Sequence, residues 1–125
     1  MWVGKCPDAA WRGAECTAIE RIQRYTAELD KAGFERAEQT QDAVIRNFEI
    51  IGEASRNIQR RYPDFAEKYG DVPWGLACEM RNALSHGYFK VDLGLVWETI
   101  QTDLPDFAER VLALRDGLSS SPSSA

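Results

Sequence analysis

The sequence predicts an all-α protein that folds as an antiparallel four- to five-helix up-and-down bundle. Apolar residues recur with a period near 3.6 along most of the chain, and no segment of useful length alternates with period two. The 125 residues suit one compact domain. We assign residues 1–118 to a single helical domain and the serine-rich residues 119–125 to a disordered tail.

The first helix is predicted from an apolar stripe that ends near Gly33. Side chains spaced by three or four residues share one face of a helix. The stripe consists of Trp11, Ala18, Ile22, Tyr25 and Leu29. We therefore expect this face to be buried.

The second helix is predicted to begin after Thr40, whose hydroxyl suits an N-cap, and to end before Pro63. Its stripe consists of Val44, Phe48, Ile51, Ile58 and Tyr62. Gly52 lies within this helix, where glycine costs about 1 kcal/mol relative to alanine. We interpret Gly52 as a point where another helix or a second subunit approaches closely.

Two further helices are predicted beyond a short irregular or one-turn segment, Pro63 to Gly70. Pro73 opens the third helix, because proline is tolerated in a first turn. Its buried stripe consists of Ala77, Met80 and Leu84, and Gly87 interrupts it. Asp92 is placed to cap the fourth helix, in which Pro105 predicts a kink or a brief break. The fourth stripe consists of Leu93, Trp97, Ile100, Leu104, Phe107, Val111, Leu114 and Leu118.

Composition excludes several classes of protein. The net charge of −5 argues against a generic electrostatic nucleic-acid binder, so any RNA affinity requires arginines gathered in one groove. No window has the roughly 18 apolar residues of a membrane helix, and no apolar stretch suits a signal peptide. The three cysteines follow no metal-ligand spacing. We expect a cytoplasmic protein without a metal, a cofactor or a membrane partner.

Chemistry is predicted around the only histidine, His86, which follows Arg81 by five residues. On a regular helix that spacing is about 140° of rotation and about 7.5 Å of rise, so the side chains converge only if the helix ends between them. Arg81 would then offer a charged fork to a phosphate, and His86 would transfer a proton. Metal-independent RNA cleavage needs such a pair, and Asn82 would orient the imidazole or the substrate.

The same residues also fit purely structural roles. A lone histidine near a helix end often serves as a cap, and Arg81 has acidic neighbours, Glu79 and Asp92, with which to pair. Tyr88 is either exposed and open to modification or packed in the ordinary way of a tyrosine. The basic residues at the end of the second helix either interact favourably with the helix dipole or contact an RNA backbone. These basic residues are Arg56, Arg60 and Arg61.

Two blocks of sequence resemble the HepT-like branch of the HEPN superfamily. The first runs from Thr40 to Ala54, and the second from Met80 through Arg81-Asn82, His86-Gly87-Tyr88 and Trp97 to Pro105. The resemblance covers roughly residues 18–113. Two blocks that agree in order and spacing form a more specific signal than the Arg-x4-His spacing alone.

The resemblance implies an antiparallel helical bundle that forms a homodimer, with two Arg-x4-His-x-Tyr motifs at a cleft between subunits. It implies a ribonuclease toxin in which Arg81 and His86 are the nuclease residues and Asn82 supports them. Tyr88 matches the tyrosine to which an MntA-like nucleotidyltransferase antitoxin transfers AMP. The added phosphate would place negative charge where the substrate phosphate binds.

A rival hypothesis comes from a different functional class. The bundle would then be a non-catalytic subunit that binds a nucleotide or a nucleotidyltransferase, with Arg81 and His86 holding phosphate. Saturable binding without strand scission would distinguish this subunit from a nuclease. A purely structural dimer is the third alternative, and it would tolerate polar substitutions at both positions.

Overall fold

The computed structural model describes residues 9–75, 77–78 and 93–119 of the chain, with side chains for 13–75, 77–78 and 93–117. The regular elements within these ranges are all helical, which confirms the all-α prediction. They are α1 (Ala9–Thr26), α2 (Lys31–Arg36), α3 (Glu38–Arg61), α4 (Pro63–Lys68), α5 (Leu93–Glu98), a π-helical segment (Thr99–Asp103) and α6 (Leu104–Ser119). Residues 74, 75, 77 and 78 are also helical.

Successive long elements run in opposite directions. Glu15, early in α1, receives a hydrogen bond from Ser55, late in α3, so these two helices are antiparallel. The segment that contains residues 74–78 returns along α3, because Cys78 lies beside Gly52. The last helical run begins where Trp97 meets Phe34, and near its end Arg115 reaches Cys16. The described elements therefore form the predicted up-and-down bundle.

One continuous apolar core joins these helices. The predicted stripes supply most of it, because Ala18, Ile22, Val44, Phe48, Ile51 and Ile58 are buried. The last helical run contributes Ile100, Leu104, Phe107, Val111 and Leu114. Phe65 anchors α4 in the same core, so this short helix closes one end of the bundle.

Three predictions about the first half of the chain are wrong. α1 ends at Thr26, not near Gly33, and Gly33 belongs to the separate helix α2. Asp30 caps α2, its carboxylate accepting the Gly33 N–H at 2.7 Å. Tyr25, which was predicted to be buried, remains 37% exposed, whereas Thr26 beside it is buried. Thr40 is not an N-cap, since α3 already begins at Glu38 and follows Ala37.

The break predicted at Pro105 is confirmed. Residues Thr99–Asp103 form a π-helical segment, and the Leu104 N–H bonds to the carbonyl of Thr99, five residues back. Pro105 has no N–H to offer to the preceding turn, so a regular α-helical ladder is not available there. The wider turn immediately before Pro105 accommodates this gap within one long helical run.

Some predictions lie outside the described residues: the stripe positions Met80 and Leu84, the interruption at Gly87, the Asp92 cap and the tail from residue 120 onward. Ser119, which we assigned to the tail, is the last residue of α6. In the described part of the chain, no helix combines the length and the apolar character that crossing a bilayer requires.

Candidate functional site

The predicted site residues Arg81, Asn82, His86 and Tyr88 all lie between residues 79 and 92, outside the described ranges. Their roles therefore remain predictions from the sequence. The structure describes the elements that lead into this segment and out of it. These elements determine how the segment is anchored to the bundle.

The element that leads into the motif is held against α3. Trp74 and Ala77 are buried in the core. The Sγ atom of Cys78 lies 3.7 Å from the carbonyl oxygen of Gly52 and 3.6 Å from Oε1 of Gln59. The sequence predicts that another helix or subunit approaches closely at Gly52; the structure shows the Cys78 side chain at its carbonyl, and close approach of a second backbone stays a prediction. Cys78 precedes Arg81 by only three residues in the sequence.

The element that leads out of the motif is anchored by α5. Val96 is fully buried, and the ring of Trp97 packs against Phe34 with centroids 5.4 Å apart. The hydroxyl of Thr99 donates to the carbonyl of Leu95 at 2.8 Å, which satisfies a polar group in the core. The motif therefore lies between two elements that are both fixed in the core.

One flank of α3 is polar and open to solvent. Arg46 approaches Glu49 at 3.4 Å in an exposed pair, which their spacing of three residues allows on a helix surface. Further along, Arg56 and Arg60 are exposed, and neither belongs to an ion pair with any described carboxylate. Towards the N-terminus of α3 this flank is therefore paired or acidic, and towards the C-terminus it carries unpaired positive charge.

A buried carboxyl group was not singled out in the sequence. Glu15 is fully buried between α1 and α3, and the Ser55 hydroxyl donates to its Oε1 at 2.7 Å. Burial raises the pKa of Glu15 to about 8, against a smaller lowering by the Ser55 hydrogen bond. A signal was available, because Glu15 shares the helical face of Ile19 and Ile22.

Neighbouring groups do not turn Glu15 into a reactive centre. Burial raises the pKa of the adjacent Cys16 thiol, although Arg115 opposes this shift. Among the described residues, no group of three or more His, Cys, Asp or Glu side chains is arranged to hold a metal ion. The Glu15 environment therefore stabilises a neutral acid in the core.

An open cavity of about 310 Å³ lies between the turn after α4 and the outer face of α6. Arg110 provides its positive charge but is already engaged by Asp106 at 3.1 Å and by Asp71 at 3.9 Å. The cavity therefore has little charge to spare for an anionic ligand. Its lining consists of Tyr69, Asp71, Arg110, Ala113, Leu114 and Gly117.

Comparison with known proteins identifies the family. A family model described as "Ribonuclease HepT-like" matches residues 16–114, a range that includes most of the helical bundle and the whole motif. The chain belongs to the HepT-like family. The resemblance inferred from the two sequence blocks is thereby confirmed.

Curated relatives of this HepT-like chain carry nuclease names. A "Probable ribonuclease HepT" of Thermococcus cleftensis is 41% identical over 98 residues, which cover 78% of this chain and 86% of that protein. A "Gamma-glutamylcyclotransferase and putative RNase" of Methanocaldococcus jannaschii is 43% identical over 101 residues, or 81% of this chain. The chain spans only 44% of the length of that second protein. No solved structure matches the chain significantly.

Proposed function

We propose that this chain is a metal-independent endoribonuclease toxin in which Arg81 and His86 act together on an RNA phosphodiester. The observation that carries the proposal is the family match over residues 16–114, which contains the Arg81-x4-His86-x-Tyr88 motif. The nuclease names of two relatives that align over most of this chain support it further.

The reaction needs only proton transfer and charge stabilisation. His86 removes the proton of a ribose 2′-hydroxyl, whose oxygen then forms a bond to the adjacent phosphorus. The bond from phosphorus to the 5′-oxygen breaks, and that oxygen takes up a proton. The products are a 2′,3′-cyclic phosphate and a 5′-hydroxyl. Arg81 stabilises the negative charge that grows on the non-bridging oxygens, and Asn82 supports this arrangement.

The described flanks suit a site that must hold its groups in position. Cys78 is held at Gly52 on one side of the motif, and Trp97 is held at Phe34 on the other. Catalytic geometry depends on supporting elements that do not move relative to each other. Fixing both ends of the segment to one core provides such support.

The proposal includes a homodimer and an antitoxin. Two motifs would meet at one cleft between the subunits, so that the arginines of both subunits would concentrate positive charge there. An MntA-like nucleotidyltransferase would transfer AMP from ATP to the Tyr88 hydroxyl, releasing pyrophosphate. The added negative charge would repel substrate phosphate from Arg81 and His86.

RNA cleavage by purified protein in the presence of EDTA tests the nuclease proposal. We expect the unmodified protein to cleave RNA, and Arg81→Ala and His86→Ala to lose at least about a hundredfold in rate, as expected for loss of an acid–base group or a charge stabiliser. The exposed Arg24→Ala serves as the control, because Arg24 lies on α1, where it pairs with Glu20 at 3.6 Å and lies over the ring of Tyr25.

Equal cleavage by the unmodified protein and both motif variants would contradict the proposal. Saturable RNA or nucleotide binding without any scission would favour the non-catalytic subunit instead.

Modification by the antitoxin is tested by measuring the intact mass of the protein after incubation with the nucleotidyltransferase and ATP. We expect addition of AMP that Tyr88→Phe abolishes, accompanied by loss of cleavage in the modified protein.

A further inference from the structure

We propose that Arg56 and Arg60 form a phosphate-binding track on α3 that holds the RNA strand beside the cleavage motif. The inference rests on the proposed ribonuclease function and adds the residues that bind substrate away from the reacting bond. The two arginines are four residues apart, so they lie on the same face of α3, separated by about 6 Å along its axis. Both side chains are exposed.

The charges of these two arginines are available to a ligand. Four arginines in the described ranges are paired with carboxylates: Arg24 with Glu20, Arg46 with Glu49, and Arg110 and Arg115 with aspartates. Arg56 and Arg60 are among those that are not, and they are neighbours on one helical face. No described carboxylate lies within 4.0 Å of the guanidinium of Arg56 or Arg60. In a chain of net charge −5, two adjacent unpaired cations are the kind of local concentration that phosphate binding requires.

Stabilisation of the C-terminal end of α3 explains a positive charge at Arg60 but not at Arg56. Basic side chains favour the last turn of a helix, and in α3 that turn contains Arg60 and Arg61. Arg56 lies one turn earlier, where the effect of the helix dipole has largely faded. Arg56 therefore needs a different explanation, and a row formed with Arg60 provides one.

The position of the row connects it with the motif. Gly52 and Gln59 contact Cys78, which precedes Arg81 by three residues. Arg56 follows Gly52 by four residues and precedes Gln59 by three, so it borders the same contact. An RNA strand bound at Arg56 would therefore lie against the element that leads into the motif.

The direction of the strand follows from the charges on α3. Towards the N-terminus, the same flank carries Glu53, which would repel a phosphate backbone, and then the Arg46–Glu49 pair, in which positive charge is already compensated. Towards the C-terminus it carries Arg60. The strand is therefore expected to run from Arg56 towards Arg60 and the end of α3.

Salt dependence of RNA binding tests this track. The parent protein carries His86→Ala, so that a short fluorescein-labelled single-stranded RNA stays intact during anisotropy measurements. Each phosphate contact contributes about 0.7 to the slope of log K against log salt for single strands. We expect Arg56→Ala/Arg60→Ala to reduce that slope by about 1.4 between about 50 and about 200 mM salt.

Arg21→Ala/Arg36→Ala is the matched control, because both arginines are exposed and belong to no ion pair among the described residues. Arg36 is the last residue of α2, and Glu38, where α3 begins, lies about 33 Å from Arg60 along the axis of α3. The control removes the same charge but should leave the slope nearly unchanged. Arg56→Lys/Arg60→Lys should retain most of the slope, since the contact depends on charge.

Equal slopes for the Arg56/Arg60 double variant and the control would overturn the track. If the same variant instead lost only its binding to the nucleotidyltransferase, the arginines would bind protein, and the RNA assignment would be wrong. Cleavage assays with intact His86 separate this inference from the proposed function. Cleavage that the double variant does not weaken overturns the track alone, whereas a chain that never cleaves RNA overturns both.

Discussion

Glu15 illustrates how burial changes the chemistry of a single residue. Its carboxyl lies in the core beside Ser55, and burial raises its pKa from 4.5 to about 8. The group is therefore mostly neutral at pH 7, which avoids the cost of a buried charge. In the unfolded chain the carboxyl regains its ordinary pKa. Between about pH 4.5 and about pH 8, the folded protein consequently binds one more proton than the unfolded chain.

The free energy of unfolding should therefore fall as the pH rises through that window. The contribution is fully present below about pH 4.5 and is lost as the pH passes about 8. The total change is on the order of 5 kcal/mol, at about 1.36 kcal/mol per pKa unit. Glu15→Gln removes this titration, so we expect a flatter pH profile when urea unfolding is measured at several pH values.

Glu20→Gln is the matched control for that experiment. Glu20 lies on the same helix but is exposed, and it forms an ion pair with Arg24. The control should keep the pH dependence of the unmodified protein. Identical slopes for Glu15→Gln and the unmodified protein would mean that the carboxyl is ionised when folded.

At the scale of elements, short helices are held by a few polar contacts. The side-chain amide of the buried Gln41, on α3, donates to the carbonyl of Phe34 at 2.8 Å. That same carbonyl accepts the N–H of Ala37 at 3.1 Å, at the end of α2. Gln41 therefore connects α2 to α3 across the turn between them. A six-residue helix gains little from its own hydrogen bonds, so such a link contributes to its stability.

Gln41→Ala should lower the free energy of unfolding by about 1 kcal/mol, the usual net value of one buried hydrogen bond. Gln39→Ala provides the control, since Gln39 is exposed in the same helix and experiences the same change in helix propensity. Chemical denaturation of both variants measures the difference. An equal effect at the two positions would show that the link to Phe34 does not stabilise the fold.

At the scale of the whole molecule, Phe34 lies where three helices meet. It is fully buried in α2, packs against Trp97 of α5 and is joined through its carbonyl to α3. The contact with Trp97 also fixes the element that follows the motif. Loss of this side chain should consequently weaken the bundle as a unit.

Phe34→Ala should cost about 3 to 5 kcal/mol, as for other buried aromatic residues. Tyr25→Ala should cost much less, because Tyr25 is 37% exposed. Urea unfolding followed by both tryptophan fluorescence and circular dichroism measures the two variants. Coincident curves would indicate one cooperative unit, and separate transitions would contradict it.

The order of residues alone determined the helical class, the buried stripes of the long helices and the break before Pro105. These features depend on local periodicity and on the missing N–H of proline. The candidate site residues also came from the sequence, through the spacing of Arg81, His86 and Tyr88 and the two family-like blocks. They remain predictions.

Tertiary packing determined the features that the local pattern of the sequence does not specify. α1 ends at Thr26, the separate helix α2 follows it, and α3 begins at Glu38, before the start expected after Thr40. The pairing of α1 with α3 buries Glu15, and the approach of Cys78 to Gly52 lies beside Arg56. Each of these features depends on which surface a side chain meets, because burial and charge pairing are set by partners far away in the sequence.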